Sequence, residues 1–245
     1  MRLLPSLLAL GLAGCAAAPL GQIADPYEPV NRRVHAFNKS LDANLLRPVA
    51  GMMAHRGGAA PSGAESRPPG PVEMFGNFGA NLSLPGKMVN SLLQGRPEPA
   101  VRNGFRFMVN TTVGLGGLLD PAGTDFGLPE IDTDFGETLH VWGVPAGAYL
   151  ELPVLGPSNE RDAVGKVVDF VLIDPLDGVL TREQKLAGTA GRIVSKAGER
   201  GRFGSTVDSV LHESADSYAQ TRLLSTQHRR YELKQEEDAI DPYAE

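Results

Sequence analysis

At 245 residues the chain can hold one domain or a small pair, and a hydrophobic content of 42% is ordinary for a folded protein and too low for a bundle of membrane spans. A formal net charge of −6 argues against a nucleic-acid binder, which is usually basic. The single cysteine excludes an internal disulfide framework and any multi-thiolate metal site.

Residues 1–14 carry Arg2 and then a leucine-rich core from Leu3 to Leu12, the pattern of a secretory signal. It ends in Leu12-Ala13-Gly14-Cys15, which resembles a bacterial lipobox, so Cys15 is expected to become the lipid-modified first residue. Two or more acyl chains give stable anchoring where one is marginal, at about 0.8 kcal/mol per buried methylene. Ala16 stands where a retention signal for the inner membrane would place aspartate, which favours the outer membrane. Residues 15–24 read as a tether. Beyond the leader no apolar run reaches the roughly 18 residues of a spanning helix. With 29 glycines and 19 prolines, the elements should be short and often interrupted.

A domain is expected over 25–231. Pro29 suits a first helical turn. Val30, Val34, Phe37, Leu41 and Leu45 form an apolar stripe, and Asn31, His35, Asn38 and Asp42 a polar stripe about 100° away, so an amphipathic helix on a core is expected, closed by Pro48. Residues 57–71 have no periodicity and read as a flexible loop. A short helix follows, with Pro85 near its start, Met88, Val89, Leu92 and Leu93 on apolar rows and Gly95 just past its end.

From Val101 the wheel places Val101, Phe105, Met108 and Thr112 on one face, widened by Phe107, Val109 and Val113. Arg102, Asn103, Arg106 and Asn110 make a narrow polar strip, and Gly114, Gly116 and Gly117 end the helix. A polar strip on so apolar a helix needs partners or water. Two readings stand: a core helix whose strip reaches solvent, or a helix with lipid or core on one side and a water-filled path on the other.

Between Thr124 and Asp162 glycine and proline recur too often for long elements, so short extended pieces and turns are expected, with room for one hairpin. The run Leu152–Leu155 is either core or inserted among lipid tails. An apolar helix then carries Val164, Val167, Val168, Val171 and Leu172, with Ser158 as its cap and Pro175 as its stop. Thr181-Arg182-Glu183-Gln184 reads as a capping box opening a helix with Leu186, Ala190, Ile193, Val194 and Ala197 on one face. Ser205–Asp208 opens another, with Val207, Val210, Leu211, Ser214 and Tyr218 in register. The acidic tail, 232–245, reads as solvated or disordered, or as a docking segment for a periplasmic partner.

No Gly-x-Ser-x-Gly, His-Glu-x-x-His or phosphate-loop pattern is present, and the five histidines show no metal-ligand spacing, so neither catalysis, a metal nor a cofactor is expected. Several motifs do carry a resemblance: Arg106-Phe107, Asn110-Thr111, Gly114, Gly116-Gly117 and Asp120; Phe135-Gly136 with Thr138-Leu139; Gly147, Tyr149 and Pro153; Gly156-Pro157-Ser158 with Arg161-Asp162. In order and spacing they resemble the MlaA (VacJ) family of outer-membrane lipoproteins that remove misplaced phospholipids. The resemblance implies a mainly α, ring-like single domain of amphipathic and apolar helices with glycine/proline-rich loops, lying in the periplasmic leaflet. It implies phospholipid as transported ligand, a trimeric porin and a soluble MlaC-type carrier as partners, and no nucleic acid. By it, Phe37 and Asn38 lie close to the lipid path. Arg106, Asn110 and Thr111 join them as candidate channel or gate residues, Gly114, Gly116 and Gly117 as a hinge or turn, and the remaining motif positions as structural. The competing class is a structural lipoprotein that braces an envelope complex, which would explain the anchor and the tail but not the glycine-aromatic motifs.

Overall fold

The computed structural model describes residues 23–48, 50–51, 69–171, 180–191 and 203–238. The leader, Cys15, most of the tether and of the 57–71 loop, Pro175, Ile193, Val194 and Ala197 lie outside the described residues.

The described chain is mainly α-helical with one two-stranded sheet. Helix α1 (Glu28–Leu41) passes into a π-helix over Asp42–Leu46, and helical backbone continues at Arg47, Pro48, Ala50 and Gly51. Pro48 therefore does not close the element. The π turn has already shifted the bonding register, with Arg47 N–H donating to Asp42 O, and such bulges make room for a ring that clashes with a regular α turn. Helices α2 (Pro71–Leu93) and α3 (Pro97–Thr112) follow, paired along their lengths, and a single turn α4 (Pro121–Thr124) comes next. All three open on a proline, whose missing N–H costs nothing where the helix has no partner for it.

The short helix expected around Pro85 is in fact 23 residues long, with Pro85 buried inside it. Interior proline costs about 3 kcal/mol. Packing against α3 outweighs this: Asn81 Nδ2 donates to Thr111 Oγ1 at 3.1 Å, one turn ahead of the proline. Gly95, at φ 73°, ends α2 as expected, with Arg96 N–H donating to Ser91 O and Gly95 N–H to Leu92 O, the paired bonds of a Schellman stop.

Helix α5 (Phe135–Val141) falls where only extended pieces and turns were expected. Its signal is Asp134, whose carboxylate accepts from Glu137 N–H at 2.7 Å as an N-cap. Strands β1 (Tyr149–Leu152) and β2 (Gly156–Asn159) form the hairpin, antiparallel, with Tyr149 opposite Asn159 and Leu152 opposite Gly156. Helix α6 (Glu160–Val171) is capped by Asn159, the last residue of β2, not by Ser158: Asn159 Oδ1 accepts from Asp162 N–H at 2.9 Å. Helices α5 and α6 touch backbone to backbone, since a Cβ on Gly165 would stand 2.3 Å from Gly136 N.

The Thr181 capping box forms in both directions, Thr181 N–H to Gln184 Oε1 and Gln184 N–H to Thr181 Oγ1, and opens α7 (182–191). Helix α8 (Gly204–Asp208) runs into a second π-helix, Ser209–Glu213. The single helix expected from Ser205 through Tyr218 breaks at Ser214, which adopts ψ 149°. Helix α9 (Ser217–Asp238) then runs into the acidic tail, with Leu233 buried, so the first part of the tail is helix.

The largest departure concerns which side of each helix faces in. The core-facing stripe expected on α1 points outward: Val30, Phe37 and Leu45 are exposed, while Asn31, His35 and Asp42 are buried. Helix α3 does the same, with Val101 71% and Met108 55% exposed against Asn103 at 0% and Asn110 at 3%. Among the described residues fifteen polar or charged side chains are buried against nine apolar ones, mostly alanine and tyrosine. A water-soluble domain has the opposite arrangement. The amphipathic periodicity is real; its direction is inverted.

Candidate functional site

The inward polar rows are bonded to one another. On α1, Asn31 bridges the N-terminal segment and the hairpin: its Nδ2 donates to Asp25 Oδ1 (2.9 Å) and Tyr149 O (3.1 Å), and its Oδ1 accepts from Glu151 N–H (3.0 Å). Asn38 grips the hairpin turn, donating to Leu152 O (2.9 Å) and accepting from Val154 N–H (2.8 Å). The neighbouring Phe37 is 52% exposed on the outer face. Asp25 also accepts from Arg222 Nη1 (2.6 Å) and from the Tyr218 hydroxyl, joining α9 to the start of the domain.

His35 lies between Glu151 Oε1 (3.4 Å) and Ser217 Oγ (3.1 Å), the connectivity of a hydrolase triad. Both oxygens of the carboxylate are already engaged, Oε1 by Asn38 and Oε2 by the Tyr149 hydroxyl, and the imidazole packs edge-on against Tyr218. Burial, and then that bond to Glu151, hold the Tyr149 phenol above its usual range, so it remains a donor. The relay braces α1, the hairpin and α9. Arg32 adds a bidentate pair to Asp216 at 3.0 and 3.1 Å, and its hydrogen bonds hold the Asp216 carboxyl at about 2. A depressed carboxyl contributes stability above its unfolded value near 3.8 and loses it as pH falls toward 2. In urea titrations Arg32→Gln should therefore be less stable than wild type at pH 7, with the gap closing near pH 2.

On α3, Asn103 is tied to Ile131, donating to its carbonyl (2.8 Å) and accepting from its N–H (3.1 Å). Arg106 Nη2 reaches both oxygens of Asp120 (3.0 and 3.1 Å), and its Nη1 donates to Leu128 O. Asn110 donates to Asp120 Oδ1 (2.7 Å) and accepts from Ala122 N–H (3.0 Å). Arg106, Asn110 and Asp120 are thus one cluster, and Thr111 is exposed beside it. Gly114 and Gly117 are buried in the turn behind α3 and Gly116 is exposed. Gly117, at φ 94°, needs both its backbone freedom and its missing side chain: a Cβ there would meet Asn81 at 2.6 Å.

A third cluster joins α5, α6 and α9. Arg229 donates to Asp134 through Nη2 (2.7 and 3.0 Å) and to Asp162 through Nε (3.0 Å), while Arg161 Nε donates to Asp162 Oδ1 (2.9 Å). Burial raises both carboxyls. For Asp162 the guanidiniums of Arg229 and Arg161 more than reverse this, leaving it below the usual range; for Asp134 burial wins over Arg229 and the carboxyl stays high. Gly136, Thr138 and Leu139 sit beneath: Thr138 Oγ1 donates to Asn90 Oδ1 (3.1 Å), Asn90 Nδ2 to Asp169 Oδ1 (2.8 Å), and Phe135 N–H to Asp169 Oδ2 (2.9 Å).

Beside this cluster opens a cavity of about 760 Å³ between the N-terminal segment, the hairpin, α6 and α9. Of the motif positions it takes Gly147, Tyr149, Pro157, Ser158, Arg161 and Asp162. Phe37, Asn38, Arg106, Asn110 and Thr111 do not line it, and Pro153 and Gly156 lie in and after the exposed hairpin turn. Charged lining residues that the motifs did not mark include Asp134, Lys166, Arg229, Arg230 and Glu232. The cap position of Asp134 was a readable signal; nothing local marks its partner 95 residues away. One potential metal-ligand group occurs among the described residues, Asp42, Asp208 and His212, with donor atoms within 4.8 Å of one another. Its carboxylates are already engaged, Asp42 by His212 Nε2 (2.9 Å) and Asp208 by the Arg47 guanidinium (3.1 Å).

The family profile described as MlaA lipoprotein matches residues 23–232. A protein of Escherichia coli K12 named intermembrane phospholipid transport system lipoprotein MlaA is 37% identical over 179 residues, covering 69% of this chain and 66% of that protein. Its namesake in Shigella flexneri is 33% identical over 245 residues, covering 91% and 85%. An uncharacterised protein of Rickettsia felis is 35% identical over 212 residues, covering 86% and 78%. Among solved structures, a chain from work on the structural basis for maintenance of bacterial outer membrane lipid asymmetry superposes with a TM-score of 0.65 at 30% identity, covering 86% of this chain and 99% of that one. Taken with the helical fold and its motif-bearing clusters, these matches make the chain a member of the MlaA lipoprotein family.

Proposed function

We propose that this protein is an outer-membrane lipoprotein, held in the periplasmic leaflet by lipid on Cys15, that helps maintain lipid asymmetry. It takes mislocalised phospholipids from the outer leaflet through a sheltered, amphipathic path and passes them to a soluble periplasmic carrier, beside a trimeric porin. The observation that carries the reading is the inverted amphipathicity of α1 and α3: apolar rows outward, bonded polar rows inward. Such a body is matched to hydrocarbon outside and to a headgroup inside. No helix among the described residues is long and apolar enough to cross a membrane, which suits a chain lying in one leaflet. The names of the enteric relatives and the subject of the structural neighbour agree with it.

The energetics require shelter. A phospholipid carries roughly thirty chain methylenes, and at about 0.8 kcal/mol each their full exposure costs on the order of 20 kcal/mol. A path that keeps chains against apolar surface lowers this cost without any bond being made or broken, so the reading needs neither a cofactor nor an enzymatic step. Deleting the gene should raise surface-exposed phospholipid, and a copy supplied in trans should restore it. Unchanged outer-leaflet lipid would sink the proposal.

The attachment has its own tests. Cys15→Ala should fold normally yet lose its anchoring in membrane fractionation; firm recovery with washed membranes would count against attachment by lipid alone. Val101→Lys with Met108→Lys places two charges on the outward face of α3. Substitutions on an exposed face away from special features usually change stability by no more than about 0.5 kcal/mol. The pair should unfold in detergent like wild type but float poorly with vesicles, because charge at an apolar membrane contact is costly.

A further inference from the structure

We propose that the cavity beside the Asp134–Arg229–Asp162 cluster seats the phosphodiester of one phospholipid headgroup, an inference that rests on the transport reading and specifies its binding chemistry. The volume of about 760 Å³ falls in the range of ligand pockets. The walls divide by chemistry. Ile23, Val144, Pro145 and Leu233 are apolar; Arg161, Lys166, Arg229 and Arg230 bring four cations against the carboxylates of Asp134, Asp162 and Glu232. Guanidinium and ammonium groups are the donors that a phosphodiester takes.

The cations are held in place. Arg161 is 5% exposed, fixed by Asp162 and by a 3.3 Å contact from its Nη1 to His140 Nδ1. Its buried Nη2 lies 2.8 Å from Asp162 Oδ1 without forming a hydrogen bond. Lys166 Nζ donates to Ser158 Oγ at 3.1 Å, which keeps the ammonium on the strand-side wall, and Arg230 stands exposed at the rim. Preset cations in a partly dry recess bind phosphate more strongly than the same groups in water. A phospholipid entering headgroup first would meet Arg230, then Lys166, with its glycerol and first methylenes against the apolar wall.

The test uses the full chain in neutral detergent, with calorimetry against four probes: dihexanoyl phosphatidylethanolamine, dihexanoyl phosphatidylglycerol, dihexanoylglycerol and inorganic phosphate. Both phospholipids should bind at least tenfold more tightly than dihexanoylglycerol or phosphate. Lys166→Glu with Arg230→Glu should weaken phospholipid binding tenfold or more, and Lys166→Arg with Arg230→Lys should keep it. Arg230→Glu alone, at an exposed position, should weaken it several-fold with an unchanged melting curve. Dihexanoylglycerol binding as well as phospholipid would overturn the inference in favour of apolar recognition, and phosphate binding as well would make this a free-phosphate site. Undiminished binding by the charge-reversed variants would overturn it too. In a deletion strain, full clearance of surface phospholipid by the double variant would reject the headgroup seat alone; failure of the unsubstituted chain to clear it would reject the transport reading.

Discussion

Asp120→Ala should lower the unfolding free energy by about 2–4 kcal/mol, somewhat less than for a fully buried ion pair because the Asp120 side chain is 30% exposed. Asp120 accepts from Arg106 twice, from Asn110 and from Gly123 N–H, and it caps α4. Its removal strands a guanidinium whose side chain is only 7% exposed and whose Nε already lacks a partner. Natural domains are stable by about 5–15 kcal/mol, so the loss is a large share. Asp120→Asn keeps an acceptor without the charge and should cost less, about 1.5–3 kcal/mol. Adding Arg106→Met to Asp120→Ala removes the stranded charge and should recover part of the deficit. Denaturant titration of the double-mutant cycle reads this coupling. Strictly additive losses would mean that the two residues act separately.

The sequence located several of these parts; it misjudged the orientation of α1 and left that of α3 open, for a physical reason. The 3.6-residue periodicity of Val30–Leu45 and of Val101–Thr112 marked true helices, and the glycines at 95, 114 and 117 marked true turns. Hydropathy says which residues share a face, but not what lies against it. Assigning the apolar face to a core assumes water outside. Here the stripe turns outward instead, at Phe37 and Val101. Asparagine recurs at 31, 38, 81, 90, 103 and 110, and each donates or accepts between elements. Asparagine suits that task because one short side chain offers both donors and acceptors. The helix through Pro85 was not readable, because a local penalty was outweighed by a neighbour distant in sequence. The partnership of Asp134 with Arg229 leaves no periodic trace for the same reason.

That pair supplies the second large effect. Arg229→Met should cost about 1.5–3 kcal/mol near neutral pH, because it removes the cation shared by Asp134 and Asp162 while the Asp134 side chain, 38% exposed, keeps access to water. Asp162 retains Arg161, so the uncompensated charge falls chiefly on Asp134. Burial already holds that carboxyl above its usual range, and losing Arg229 should raise it further. A carboxyl raised by folding favours the native state below its unfolded value near 3.8, and this advantage is lost as pH rises through the folded value. The variant's deficit should therefore be greatest at pH 7.5 and shrink toward pH 4, the same direction as for Arg32→Gln but closing at a higher pH, because Asp134 is a raised acid and Asp216 a depressed one. Its location should also be readable. Arg229 comes from α9, whereas its partners cap α5 and open α6, so the first consequence is release of α9. Hydrogen exchange should accelerate in α9 and around the cavity while the α2–α3 pair keeps its protection. Uniform acceleration would mean that α9 unfolds only with the whole chain, and that Arg229 is not the clasp holding it.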